Sequence, residues 1–258
     1  MKALVYTDTE ETTYRDEADP APGPGDAVVQ VEAVGICGSD MHAWHGHDPR
    51  RVPPLILGHE ACGIVLTGGT PGARVILNPL ITCGKCEHCT TGRSNLCPDR
   101  ELIGMRIPGA FADRIALPAG NLIPVPADMD PSAAALTEPC ATAWHALTLA
   151  ARAAWRPIGD LRTLVIGGGS VGLLGGLILQ SWGASEVRIA ETNPLRRKSA
   201  MAAGLDTFDP LATPPVNASA DIVLDAVGAT VTRAAAIAAV RPGGVISHIG
   251  LQDWAGDF

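Results

Sequence analysis

The stretch CGKCEHCTTGRSNLC, residues 83–97, holds four of the chain's seven cysteines in one turn-rich segment. Spaced C-x2-C-x2-C-x7-C, four thiolates can close a tetrahedral shell around one Zn2+, because the short gaps let a loop wrap the ion and the longer gap brings the chain back. Cys83, Cys86, Cys89 and Cys97 are therefore the expected ligands of one zinc. Gly84 and Gly92 permit tight turns inside the segment, and Lys85 and Arg93 offset part of the charge of a four-thiolate site. Disulfide pairing is the alternative use of such thiols, and it is rare inside cells. A shell filled by four cysteines leaves no open coordination place, so the segment reads as a structural clasp. The chemistry has to come from elsewhere.

At 258 residues, 47% hydrophobic and 18% charged, the chain has the size and composition of two ordinary globular domains. Acids interrupt the apolar start MKALVYTDTEE, so a signal-peptide core is not expected, and the longest apolar run, VGLLGGLIL, is nine residues, far short of a bilayer span. These features predict a cytoplasmic protein with no membrane partner. A net charge of −8 argues against a nucleic-acid partner, and with it against a nucleic-acid-binding zinc ribbon.

The grammar of the chain changes near residue 140. Before it, short alternating segments (DAVVQVEAVGIC, GIVLT, ARVILNP, FADRIAL, NLIPVP) broken by Pro and Gly predict an irregular β domain over 1–140. After it, Ala- and Leu-rich helical stretches alternate with brief β-branched runs, which predicts a parallel α/β domain over 141–258.

In TLVIGGGSVGLLGGLILQ, a strand ending at Ile166 leads into Gly167, Gly169 and Gly172 in G-x-G-x-x-G spacing, with Ser170 between and a helix from Val171 onward. The first glycine permits the turn, the second lets backbone approach a pyrophosphate, and the third lets helix pack on strand. The next strand, EVRIAE, ends in Glu191, 22 residues after Gly169, where an acid can take the ribose hydroxyls of NAD. Arg196 and Arg197 could instead receive the 2′-phosphate of NADP. His248, in the late strand VISHIG, falls where the strand-end rule places the nicotinamide.

Upstream, VGICGSDMHAWHG and LILGHEACG carry Cys37 and His59, a soft and a borderline ligand that Zn2+ accepts together. Glu60 follows His59, and Glu138 stands before Pro139 at the domain boundary. Three protein ligands and one open position make a catalytic zinc site.

These motifs, GICGSDMH, LGHE, the CGKCEHC...C lobe, the EP dipeptide and VIGGGSVG, stand in the order found in the zinc-dependent medium-chain dehydrogenases, and the chain resembles that family along its whole length. The likeness is to the polyol and secondary-alcohol branch, which includes sorbitol, idonate and threonine dehydrogenases. It implies a GroES-like irregular β-barrel domain joined to a Rossmann domain, two zinc ions per chain, and hydride transfer between an alcohol or polyol and NAD. It also implies Cys37 and His59 as ligands of a catalytic zinc, with Glu60 or Glu138 as the acidic third. Asp40 resembles the carboxylate that orients the histidine ligand, and Ser39 and His42 resemble a relay that carries the alcohol proton away through the cofactor ribose. The four lobe cysteines then hold the structural zinc.

Five strands are expected in this second domain, at about 163–167, 187–191, 205–208, 221–226 and 244–250, where a full dinucleotide-binding sheet has six. The chain therefore reads as shortened, with GGVISHIG left as a sheet edge and the family's usual homodimer in doubt. Two rival readings follow: a shortened remnant that binds zinc and NAD without turnover, and a zinc-independent reductase of the same superfamily.

Overall fold

The computed structural model describes residues 1–252; the terminal DWAGDF, where the expected end of the chain without a sixth strand falls, lies outside the described residues. The chain divides into two compact units, Met1–Glu138 and Pro139–Phe258.

In the first unit, a five-stranded antiparallel sheet has the order Leu122–Pro124, Arg74–Leu77, Glu60–Thr67, Asp26–Gly35, Arg114–Pro118. These are the five segments that the alternating pattern marks. Their inward residues, Val29, Val65, Val75, Leu77, Ile115 and Leu117, form one buried cluster, as period-two alternation requires. The N-terminal hairpin Lys2–Asp8 and Glu11–Asp16, joined by Leu55–Ile56, makes a second antiparallel sheet.

The cysteine segment leaves and rejoins this unit through a two-stranded pair, Leu80–Ile81 with Glu101–Leu102.

In the second unit, five parallel strands follow the order Asp206–Phe208, Glu186–Ala190, Arg162–Ile166, Ala220–Asp225, Val240–His248, which in chain order is 3-2-1-4-5. The central strand is covered on both faces. Val165 packs with Leu147 of helix Thr137–Ala153 and Leu179 of helix Ser170–Ser181, while Leu164 and Ile166 pack with Ala236 and Ala239 at the end of helix Thr230–Ala239. A strand buried on both faces reads as an unbroken apolar run, as Leu164, Val165 and Ile166 do. Among the described residues, Val240–His248 is one edge of the sheet. No helix of the described residues is long and apolar enough to cross a membrane.

Candidate metal centres and cofactor turn

Strand Asp26–Gly35 runs antiparallel to Glu60–Thr67 with Gly35 opposite Glu60, so the residues just beyond one strand end meet those just before the other. Gly35 also makes room: a Cβ there would run into the Glu60 carboxylate. Cys37 stands immediately before helix Gly38–Trp44, whose third residue, Asp40, is only 2% exposed. Asp40 Oδ2 accepts the Cys37 backbone N–H at 3.0 Å, satisfying an N–H left open at a helix start. Its Oδ1 lies 3.4 Å from the Gly58 nitrogen and 3.5 Å from His59 Nδ1. One carboxylate thus holds the Cys37 segment against the His59 segment.

The result is a cluster in which one ligand atom from each of Cys37, His59 and Glu60 lies within 4.8 Å of the other two. At 3.5 Å the Asp40–His59 contact is an ion-pair distance longer than a well-formed hydrogen bond, and Nδ1 is buried without a hydrogen-bond partner. A buried imidazole with a carboxylate behind one nitrogen is the arrangement that a metal on the other nitrogen completes. The electrostatics agree. Burial disfavours the His59 imidazolium, yet the Asp40 and Cys37 side chains outweigh it and its pKa is raised to about 10. Burial raises the Glu60 carboxyl above its ordinary value against the pull of His59. A thiol and several carboxyls crowded around one imidazole form a pocket short of positive charge, which a divalent cation supplies.

Glu138 lies outside this set of three. Burial also raises its carboxyl, opposed by His59 and reinforced by Glu60 and Asp40, so it belongs to the same electrostatic neighbourhood. Ser39 Oγ accepts an N–H from Arg51 Nη2 at 3.1 Å. His42 is half-buried, its ring centroid 6.4 Å from that of His47. Sequence reasoning passes over Arg51 and its partner Asp48, because DPRR in a loop reads as solvated charge.

In the lobe, one ligand atom from each of Cys83, Cys86, Cys89 and Cys97 lies within 4.8 Å of the others, and all seven cysteines are unpaired. The Cys86 N–H donates to Cys83 Sγ at 3.4 Å and the Cys83 N–H to Cys97 Sγ at 3.5 Å. Backbone N–H groups of Lys85 and Cys86 lower the Cys83 thiol to about 6, which favours the thiolate that a metal needs. Arg93 turns to Thr91 and Glu87.

In the second unit, Gly167 has φ +95°, a region that favours glycine. A Cβ on Gly172 would run into the Gly167 carbonyl, whereas a Cβ on Gly169 would meet nothing within 4 Å. The third glycine therefore packs helix on turn and the second fronts open space, beside the start of helix Ser170–Ser181 at Ser170 and Val171. Glu191 follows strand Glu186–Ala190 and is 5% exposed. Its Oε2 accepts the Gly168 N–H at 2.6 Å and its Oε1 the Asn193 N–H at 2.7 Å, so the acid is locked to the glycine turn. Arg196 is largely exposed with Nη1 3.8 Å from Glu191 Oε2, while Arg197 is tied to Asp209 at 3.2 Å and to the Glu191 and Thr192 carbonyls. His248 Nδ1 pairs with the fully buried Asp225 at 3.0 Å.

Residues 23–127 match the family model of the alcohol dehydrogenase GroES-like domain. The chain is 33% identical over 266 residues to L-galactonate-5-dehydrogenase of Escherichia coli (strain K12), covering 97% of this chain and 76% of that protein. Among solved structures, it is similar to a protein described as a zinc-binding dehydrogenase from Sinorhizobium meliloti 1021, bound to NADP, with TM-score 0.88, 32% identity, and coverage of 99% of this chain and 78% of that one. It is also similar to acetophenone reductase from Geotrichum candidum NBRC 4597 in complex with NAD, with TM-score 0.85, 28% identity, and coverage of 96% and 75%. With a GroES-like unit, a five-stranded Rossmann-type unit and relatives of this kind along its length, the chain belongs to the zinc-dependent medium-chain dehydrogenase/reductase family, in its alcohol and polyol dehydrogenase branch.

Proposed function

We propose that this chain is a zinc-dependent oxidoreductase that moves a hydride between a small-molecule polyol or secondary alcohol and NAD. The observation that carries this reading is the meeting of Cys37, His59 and Glu60 from separate strand ends, with Asp40 behind the imidazole. A thiol, an imidazole and a carboxylate are a donor set that zinc accepts, and three protein ligands leave a place open. Cys37, His59 and Glu60 would hold the catalytic zinc, Glu138 being the reserve acid, and the four lobe cysteines would hold the structural one.

Zinc bound there supplies Lewis acidity to the alcohol oxygen, and NAD supplies the hydride acceptor. The chain's own residues do the rest. Asp40 fixes the His59 ring, Ser39 Oγ accepts the alcohol proton, and His42 passes protons toward solvent. Gly167, Gly169 and Gly172 shape the pyrophosphate turn at the start of helix Ser170–Ser181. Glu191 takes the ribose hydroxyls, which favours NAD. Arg197 is already committed to Asp209, which leaves Arg196 as the residue for the alternative, NADP. Seven unpaired cysteines suit a reducing, cytoplasmic setting.

Zinc per chain, measured on protein purified without added metal, and turnover of an alcohol and polyol panel with NAD test the reading together. Two equivalents and reduced nicotinamide are expected. One equivalent held by the lobe cysteines, with NAD bound but not reduced, overturns it in favour of a binding remnant.

A further inference from the structure

Arg51 is the buried cation of the first unit that the reaction scheme leaves unused. Its side chain is 1% exposed, and a guanidinium cannot shed its charge by losing a proton, so such burial is costly unless every group finds a partner. Each of its three nitrogens does. Nε donates to the Gly104 carbonyl at 2.9 Å, Nη1 to Asp48 Oδ2, and Nη2 to Ser39 Oγ at 3.1 Å. Gly104 in turn lies so close to the segment before His59 that a Cβ there would sit 2.9 Å from the Gly58 carbonyl oxygen. One planar fork therefore joins the helix start that carries Ser39, the turn at Asp48, and the loop behind Gly58. Buried ion pairs contribute little net stability, so a fork spent on a serine hydroxyl points to a geometric role.

We propose that Arg51 is a positioning residue for Ser39, an inference that rests on the dehydrogenase reading above. A hydroxyl has one hydrogen and two lone pairs. Arg51 donates to one lone pair and, having no lone pair to offer, turns the hydroxyl hydrogen away from itself. The other lone pair is left to accept the alcohol proton while the serine's own hydrogen passes to the next acceptor. The proton count balances, and Arg51 stays charged throughout.

The test is a mutant cycle in the zinc-loaded full chain: Arg51→Met, Ser39→Ala, and both together, with Arg51→Lys as the variant that keeps the charge but loses the planar fork. Arg51→Met should lower kcat by about tenfold or more, with KM within about twofold and zinc per chain unchanged, since small misplacements of a reacting group cost rates of this order. In the Ser39→Ala background the same substitution should cost less than about twofold, because the group it positions is gone. Arg51→Lys should fall between wild type and Arg51→Met. Equal losses in both backgrounds, or loss of zinc in Arg51→Lys, would make Arg51 a rivet between loops and overturn the proposal. Absence of turnover in the wild-type chain overturns the dehydrogenase reading instead. The positioning role is then decided by crystal structures: Ser39 Oγ rotated in Arg51→Met with Cys37, Asp40 and His59 unmoved supports it, and an unmoved Ser39 overturns it.

Discussion

The cysteine lobe draws its four candidate ligands from residues 83–97, whereas Cys37, His59 and Glu60 meet only because Gly35 pairs with Glu60 across two strands. Their surroundings differ in the same sense. Lobe thiols are poised by their own loop's backbone N–H groups. The other cluster is poised by a buried carboxylate from a helix start, and its acids are raised by burial. A site that only holds a metal can be written locally in sequence. The cluster proposed to react gathers its charges from distant segments, and it depends on the whole unit for its geometry.

Removing one ligand from each centre separates them most sharply. Cys37→Ser should abolish turnover and one of two zinc equivalents while leaving the thermal unfolding midpoint near wild type; retained turnover would break the comparison. Cys97→Ser should remove the other equivalent and destabilise the first unit by roughly 2–4 kcal/mol, with turnover per folded molecule largely kept. Calorimetry beside elemental analysis checks this, and a loss of both zinc ions would mean that the centres are coupled. Asp40→Asn should weaken zinc at the Cys37 centre by about 10- to 100-fold in a chelator competition, without touching the lobe. The smallest effect concerns Asp48. Burial raises its carboxyl, but Arg50 and Arg51 outweigh this and hold it at about 2, below its ordinary 3.8. A depressed carboxyl stabilises the fold above its unfolded pKa and loses that contribution as pH falls through the folded one. Wild type should therefore lose on the order of 1–2 kcal/mol between about pH 4 and pH 2 that Asp48→Asn does not lose, read from urea midpoints against pH.

Much of the fold is legible because its signals are local. Alternation and Pro/Gly punctuation mark the five strands of the large sheet, and TLVIGGGSVG marks the central parallel strand and its turn. The hairpin strand Glu11–Asp16 escapes notice because its residues are exposed or half-exposed, which leaves no apolar alternation to read. The last strand begins at Val240, ahead of the expected start at residue 244, since pairing with Ala220–Asp225 carries the chain through Arg241, Pro242 and two glycines that look like a break. The lobe is legible as spacing alone. At the other centre the residue types are visible, but nothing in the sequence says that Glu60 rather than Glu138 joins Cys37 and His59. Nor does PRR reveal that Arg51 turns inward while the Arg50 side chain stays 42% exposed, because tertiary packing makes that choice.

The pairing of Leu80–Ile81 with Glu101–Leu102 sets the exit and return of the cysteine excursion side by side. A segment whose two ends already touch can change in length at little cost in chain-closure entropy, and the strands Asp26–Gly35 and Glu60–Thr67, whose ends bring Cys37 and His59 together, keep their register. The lobe is in that sense a closed excursion, its length set apart from the register of the strands on which the proposed catalytic site depends.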